Sequence, residues 1–184
     1  MARSRPPFAE ASAGGPSPAL LSERRIRARV RLLGRRIEAD HRGKDLVVVG
    51  VLHGSFVFLA DLVREIRLPL RCDFVRVSSY GRGTKTSGRV RVEFDLAESV
   101  RGKHVVVVED IIDTGFTMAA LLRRLRARRP AGLRVCALLR KPERGRVRVP
   151  VDYLGFTIAD RFVVGYGLDR AGLHRNLRSI VALA

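Results

Sequence analysis

The sequence predicts an α/β fold built on a mainly parallel central sheet flanked by helices. Three observations carry that expectation. Leu46–Val51 (LVVVGV) and Val105–Val108 (VVVV) are unbroken, β-branched apolar runs, the composition of strands covered on both faces. Segments of helical period lie between such runs. Each of these two runs also ends in a polar, glycine-bearing turn, at 53–55 and 113–117, that opens the next helix. Strands alternating with helices build parallel sheets, which hold ligands at the carboxyl ends of their strands. The functional residues are therefore expected near 52–55, 109–117 and 139–142.

Taken in order, residues 1–18 are rich in Pro, Gly, Ala and Ser and are expected to form a tail that buries little. One domain then fills 19–184. From Ser22 to Asp40, Ile26, Val30, Leu33 and Ile37 recur at 4-3-4 spacing and make one stripe on a helix, with Ser22 able to cap it. After the first apolar strand, Phe56–Ile66 reads as a helix and Cys72–Tyr80 as a second strand. Residues 81–89 (GRGTKTSGR) form a glycine-rich polar loop. Val90, Val92 and Phe94 alternate with charged residues, the pattern of a half-exposed strand. Thr117–Arg128 is the helix after Val105–Val108, Leu133–Leu139 the next strand, and shorter extended pieces are expected at 153–158 and 162–166.

Composition excludes several classes. No apolar run approaches the ~20 residues of a membrane span. Arg3 and Arg5 are followed by no apolar stretch, so no secretory signal is expected. Cys72 and Cys136 lack zinc or CxxC spacing and read as reduced core residues of a cytoplasmic protein. With 36 Lys+Arg against 18 Asp+Glu the net charge is +18. Such a charge invites a nucleic-acid reading. Yet the arginines are scattered, no block of five occurs and there is no Trp, so a base-stacking platform is poorly supported. A solvated, arginine-rich surface is the simpler reading, and its field suits a polyanionic small molecule.

Residues 105–118 (VVVVEDIIDTGFTM) carry the chemistry. The apolar strand delivers Glu109 and Asp110 to its carboxyl end, and Asp113-Thr114-Gly115-Phe116-Thr117 opens a helix. Gly115 permits a tight turn and close approach to a ligand. The free amides of 114–117 and the helix dipole make an anion nest, to which Thr114 and Thr117 add hydroxyls. The adjacent carboxylates repel phosphate but suit sugar hydroxyls, directly or through Mg²⁺. Phosphate donors beside diol acceptors are what a ribose 5-phosphate demands.

This segment resembles the 5-phosphoribosyl-1-pyrophosphate (PRPP) signature of type I phosphoribosyltransferases. Val49–Phe56 (VGVLHGSF) resembles the pyrophosphate loop of that family, and Ser78-Ser79-Tyr80-Gly81 the start of its mobile lid. Leu138–Pro142 (LLRKP) and Asp160–Asp169 (DRFVVGYGLD) resemble the base-binding segments of its hypoxanthine/guanine members. The likeness covers about residues 22–180 and implies the family's fold: a mainly parallel sheet flanked by helices, with a small hood.

The resemblance also implies roles. Glu109 and Asp110 would hold the ribose hydroxyls, and Asp113, Thr114, Gly115, Phe116 and Thr117 the 5-phosphate. Asp113 would be the catalytic base near purine N7. Lys141 would donate to the 6-oxo group, Phe162 would stack on the purine, and Val163 would meet its edge. Asp169 would join Glu109 and Asp110 in binding Mg²⁺. Leu52, His53, Gly54 and Arg175 would grip pyrophosphate, and Ser79 and Tyr80 would begin a lid that excludes water. Three positions depart from the family pattern: His53 where Lys or Arg is common, Phe116 where a polar residue is common, and Arg170 where Tyr is usual.

The implied activity is a purine-salvage transfer from PRPP to hypoxanthine or guanine, giving IMP or GMP and pyrophosphate, in a homodimer or homotetramer. Two other readings stand beside it. One is an RNA-binding regulator on the same fold, motivated by the charge. The other is a phosphoribosyltransferase for another oxopurine such as xanthine, which Lys141 would also admit.

Overall fold

The computed structural model describes residues 19–79 and 90–183. The 1–18 tail, Tyr80 and the 81–89 loop lie outside the described residues. Helix α1 (Glu23–Asp40) begins at Ser22, whose hydroxyl accepts the Arg25 amide. Then follow β1 (Leu46–Leu52), α2 (Phe56–Arg64), β2 (Leu70–Ser79), β3 (Val90–Phe94), β4 (His104–Ile112), α3 (Phe116–Ala127), β5 (Gly132–Arg140), a 3-10 turn (Pro142–Arg144) and β6 (Tyr153–Thr157). Two short strands, β7 (Val163–Val164) and β8 (Val181–Ala182), end the fold.

Strands β3-β2-β1-β4-β5-β6 form one sheet in that order. All neighbours are parallel except the edge pair β2–β3. The chain runs outward from β1 through β2 to β3, then restarts at β4 and runs the other way. The switch therefore falls between β1 and β4, where a parallel sheet leaves a crevice at its carboxyl edge. Strands β7 and β8 pair separately and antiparallel, with Leu21 bridged to Ile180 beside them; this is the hood.

The period-2 geometry of a strand sorts the apolar runs into two cores. Leu46, Val48, Val106, Val108, Cys136 and Leu138 face α1 and α2, packing with Ile26, Leu33, Ile37, Phe58 and Leu62. Val47, Val49, Val105, Val107, Val135 and Ala137 face α3, packing with Met118, Leu121, Leu122 and Leu125. Each such side chain contributes roughly 1.5–3 kcal/mol on burial. Gly34 lets α1 approach the end of α2: a Cβ there would stand 2.6 Å from Glu65 Cβ.

Three expectations need correction. Cys72 is exposed, not core, because β3 pairs only with 76–79 and leaves β2 an open edge at that level; Cys136 is buried, and burial pushes its thiol up. Strand β4 continues through Glu109 and Asp110 to Ile112, since its ladder with β5 runs to the Ile112–Arg140 pair. The extended piece expected at 162–166 is only two residues long, because Gly165 and Tyr166 both turn to positive φ. No described helix is long and apolar enough to cross a membrane.

Candidate active site

The carboxyl ends of β1 and β4 meet at the switch. The β1 turn carries Leu52, His53 and Gly54, with Leu52–His53 in the cis form. Gly54 lies directly against Asp110: a Cβ at Gly54 would stand 1.6 Å from Asp110 Oδ2. Ser55 is buried and its hydroxyl donates to the Val51 carbonyl at 2.7 Å, which fastens the turn back onto its own strand. A third segment closes on this pair. A Cβ at Gly167, whose φ is +98°, would stand 2.2 Å from the Gly54 carbonyl oxygen. Only glycine fits at either position without moving its neighbour.

Asp110 is buried and Glu109 is half-buried beside it. Burial, then the charge of Asp110, pushes the Glu109 carboxyl well above its usual range. Burial likewise raises Asp110, although the Ile111 amide donates to it at 2.9 Å and Arg175 lends positive charge. Two carboxylates held this way titrate as a pair and resist carrying two charges together. A diol or a cation would relieve them.

Five residues after Asp110, the chain turns at Gly115, with φ +87°, and enters α3. The turn is pressed against 146–149: a Cβ at Gly115 would meet the Val147 carbonyl oxygen at 2.4 Å. The Thr114 carbonyl accepts the amides of Arg146 and Val147, both at 3.0 Å. Among the described residues, the amides of Thr114, Gly115, Phe116 and Thr117 donate to no backbone carbonyl. No side chain caps the helix, so Asp113 is not an N-cap. The helix opens on unspent N–H groups, which is an anion site.

Asp113 Oδ1 is shut from solvent and, among the described residues, accepts no hydrogen bond. Arg144 Nε stands 2.9 Å from it, near but off the N–H line. Lys141, at the end of β5, is buried rather than solvated, with 7% of its surface exposed. Its Nζ lies 3.4 Å from Asp160 Oδ1, and Arg144 Nη1 lies 3.6 Å from the other oxygen of the same carboxylate. Phe162 is 55% exposed, a large ring with an uncovered surface, while Val163 beside it is buried.

Asp169 pairs with Arg175 at 2.7 Å and accepts the Gly172 amide at 2.7 Å. Arg175 also donates to the Gly167 carbonyl at 2.7 Å, so despite Arg170 the 169–175 loop turns Arg175 back onto the glycine that covers Gly54. His53 is exposed, and the Ser79 backbone ends β2. Among the described residues, no three His, Cys, Asp or Glu side chains form a ready metal cluster, so Glu109, Asp110 and Asp169 are not a prebuilt cage. Arg144 and Asp160 were given no role by sequence reasoning. In a chain with 36 Lys+Arg, one more arginine after a lysine gives no signal.

A phosphoribosyl transferase domain family matches residues 19–171. The chain is similar to the hypoxanthine phosphoribosyltransferase of Haemophilus influenzae, at 50% identity over 161 residues, 86% of this chain and 90% of that one. It is similar to the hypoxanthine-guanine phosphoribosyltransferase of Mycobacterium avium, at 44% identity over 181 residues, 95% and 89% of the two chains. The fold matches a crystal structure of a hypoxanthine phosphoribosyltransferase from Staphylococcus aureus with a TM-score of 0.88, at 41% identity over 90% of each chain.

Proposed function

The chain belongs to the phosphoribosyl transferase family, and we propose that it is a purine-salvage enzyme moving the 5-phosphoribosyl group of PRPP onto hypoxanthine or guanine. One observation carries this reading. An acid pair that makes no salt bridge among the described residues, Glu109–Asp110, stands on the same short segment as the unspent amides of 114–117. The amides suit a phosphate and the acids suit vicinal hydroxyls, so one segment fits both ends of a ribose 5-phosphate.

In this reading the oxopurine lies between Phe162 and the Lys141 end of β5, stacked on the exposed ring and read at its 6-oxo group by the ammonium. Purine N9 bonds to C1′ while the C1′–oxygen bond to pyrophosphate breaks. The proton the ring must lose passes to Asp113, whose Oδ1 has no other hydrogen bond to make. Leu52, His53, Gly54 and Arg175 take the departing pyrophosphate, His53 chiefly through its backbone. Positioning and charge neutralisation supply most of the acceleration.

The donor chemistry suits Mg²⁺. It prefers one or two carboxylates completed by substrate phosphates over an all-protein cage, and the adjacent Glu109 and Asp110 supply two carboxylates. Glu109 and Asp110 would hold the ion at the diol side and Asp169 at the pyrophosphate side. When bound, it neutralises charge on the leaving group. We further read residues 19–184 as a single catalytic domain that works in the cytoplasm as a homodimer or homotetramer. Incubating the protein with PRPP, Mg²⁺ and hypoxanthine, guanine or xanthine in turn tests the reading and ranks the bases. Nucleotide and pyrophosphate are expected with hypoxanthine or guanine; no product from any oxopurine defeats it.

A further inference from the structure

Four charged side chains of alternating sign run from the acid at the sugar to the ammonium at the base: Asp113, Arg144, Asp160 and Lys141. The separations are 2.9 Å, 3.6 Å and 3.4 Å. The two basic members are tied down through the backbone. Lys141 is buried and its amide donates to the Ile112 carbonyl at 3.0 Å, which ties β5 to the residue before Asp113. Arg144 closes the 3-10 turn that starts on Lys141, its amide donating to the Lys141 carbonyl at 3.3 Å. The following residues hang on Thr114 through two backbone hydrogen bonds. Among the described residues, Arg144 is thus the cation that reaches both acids, on the short turn between the two groups assigned to touch the purine.

We propose that Arg144 is a positioning residue for purine recognition, holding Asp113 and, through Asp160, Lys141 at the separation that an oxopurine spans between its N7 and its 6-oxo oxygen. The proposal rests on the reading of the site given above. Its physical basis is that, among the described residues, Asp113 Oδ1 has Arg144 alone beside it and accepts no hydrogen bond. Without Arg144, Asp113 is a half-exposed carboxylate free to change rotamer, and Asp160 is left to draw Lys141 out of line. Arg144 is exposed at the solvent edge and is a member of neither core, so its loss affects alignment more than folding. The 5-phosphate nest is held separately by the backbone bonds at Thr114, which a side-chain change leaves in place. The purine therefore feels the substitution and PRPP does not.

The test is steady-state kinetics of the full chain, with KM for hypoxanthine and KM for PRPP measured separately for Arg144→Ala, Arg144→Lys and Asp160→Asn. Arg144→Ala is expected to raise the hypoxanthine KM about tenfold, the scale of one partly exposed charged contact, with the PRPP KM within about twofold. Arg144→Lys should recover part of that loss, and Asp160→Asn should move the hypoxanthine KM in the same direction as Arg144→Ala, by less. An unchanged hypoxanthine KM in Arg144→Ala, or an equal rise in both KM values, overturns the proposal. So does a lysine variant no better than alanine. If Arg144→Ala fails to fold, the lysine and asparagine variants decide on the same criteria. An unsubstituted protein inactive with every oxopurine instead overturns the functional reading itself.

Discussion

The two ends of the sheet both bring polar groups together, and they treat them oppositely. At the amino end, Asp40 accepts the Tyr153 hydroxyl at 2.7 Å and pairs with Arg134, which also donates to Tyr153 at 2.6 Å. The Tyr153 hydrogen bond, outweighing partial burial, holds the Asp40 carboxyl below its usual range. His41 beside it is buried, with Nδ1 2.8 Å from the Ile37 carbonyl. At the carboxyl end, Glu109 and Asp110 are pushed up instead, and Asp113 Oδ1 goes without a hydrogen bond. One end answers its polar groups with protein. The other leaves them for a ligand, and groups left unanswered cost stability that binding can recover.

Substitutions separate the two ends. Asp113→Asn should lower kcat by about 100-fold or more, as for loss of a general base, with melting temperature nearly unchanged; rapid-quench product formation measures it. Phe162→Ala should raise KM for the purine by roughly tenfold, a stacked base contributing about 1–3 kcal/mol. The ring is largely exposed, so a calorimetric scan should show no loss of stability.

Glu109→Gln should weaken PRPP binding yet stabilise the ligand-free protein by roughly 0.5–2 kcal/mol, the usual exchange of function for stability. Tyr153→Phe should do the reverse: about 1 kcal/mol less stable, read as a fall of about 2–4 °C in Tm, with activity intact. A Glu109→Gln protein that melts lower than its parent at neutral pH would break the contrast.

The two ends also differ in pH response. The acid pair has folded pKa values above the ordinary 4.5 and 3.8, so its contribution is complete below those values and is lost as pH rises through the raised ones. The stability gap between Glu109→Gln and its parent should therefore widen from pH 4 to pH 8. His41, lowered from 6.5 first by burial, contributes above that value and loses its share as pH falls below it. Thermal melts of the ligand-free protein across this range distinguish the two slopes, the smallest of the expected effects.

Much of this molecule was legible before any coordinates. The apolar runs at 46–51 and 105–108 could only be two-faced strands, and Ile26, Val30, Leu33 and Ile37 could only share one helix face. The segment 109–117 was legible because each residue type there answers one chemical demand. What stayed hidden depends on contacts distant in sequence. Nothing in the spacing of Lys141, Arg144 and Asp160 says that they face Asp113. Cys72 was misplaced because strand periodicity gives the face but not how well it is covered. The Asp40–Tyr153–Arg134 cluster joins residues more than ninety positions apart.

The nesting of Gly167 on the Gly54 carbonyl has a consequence for biosynthesis. The turn at 52–54 and the acids at 109–110 leave the ribosome early, but the backbone that roofs them is made near the end. At about 5–20 residues per second, the ten residues from Thr157, the last of the sheet, to Gly167 leave the growing polypeptide about 0.5–2 s with its strands made and its Gly54 turn uncovered. Nascent chains halted between residues 157 and 167 can own every strand of the main sheet and still lack the cover of the Gly54 turn.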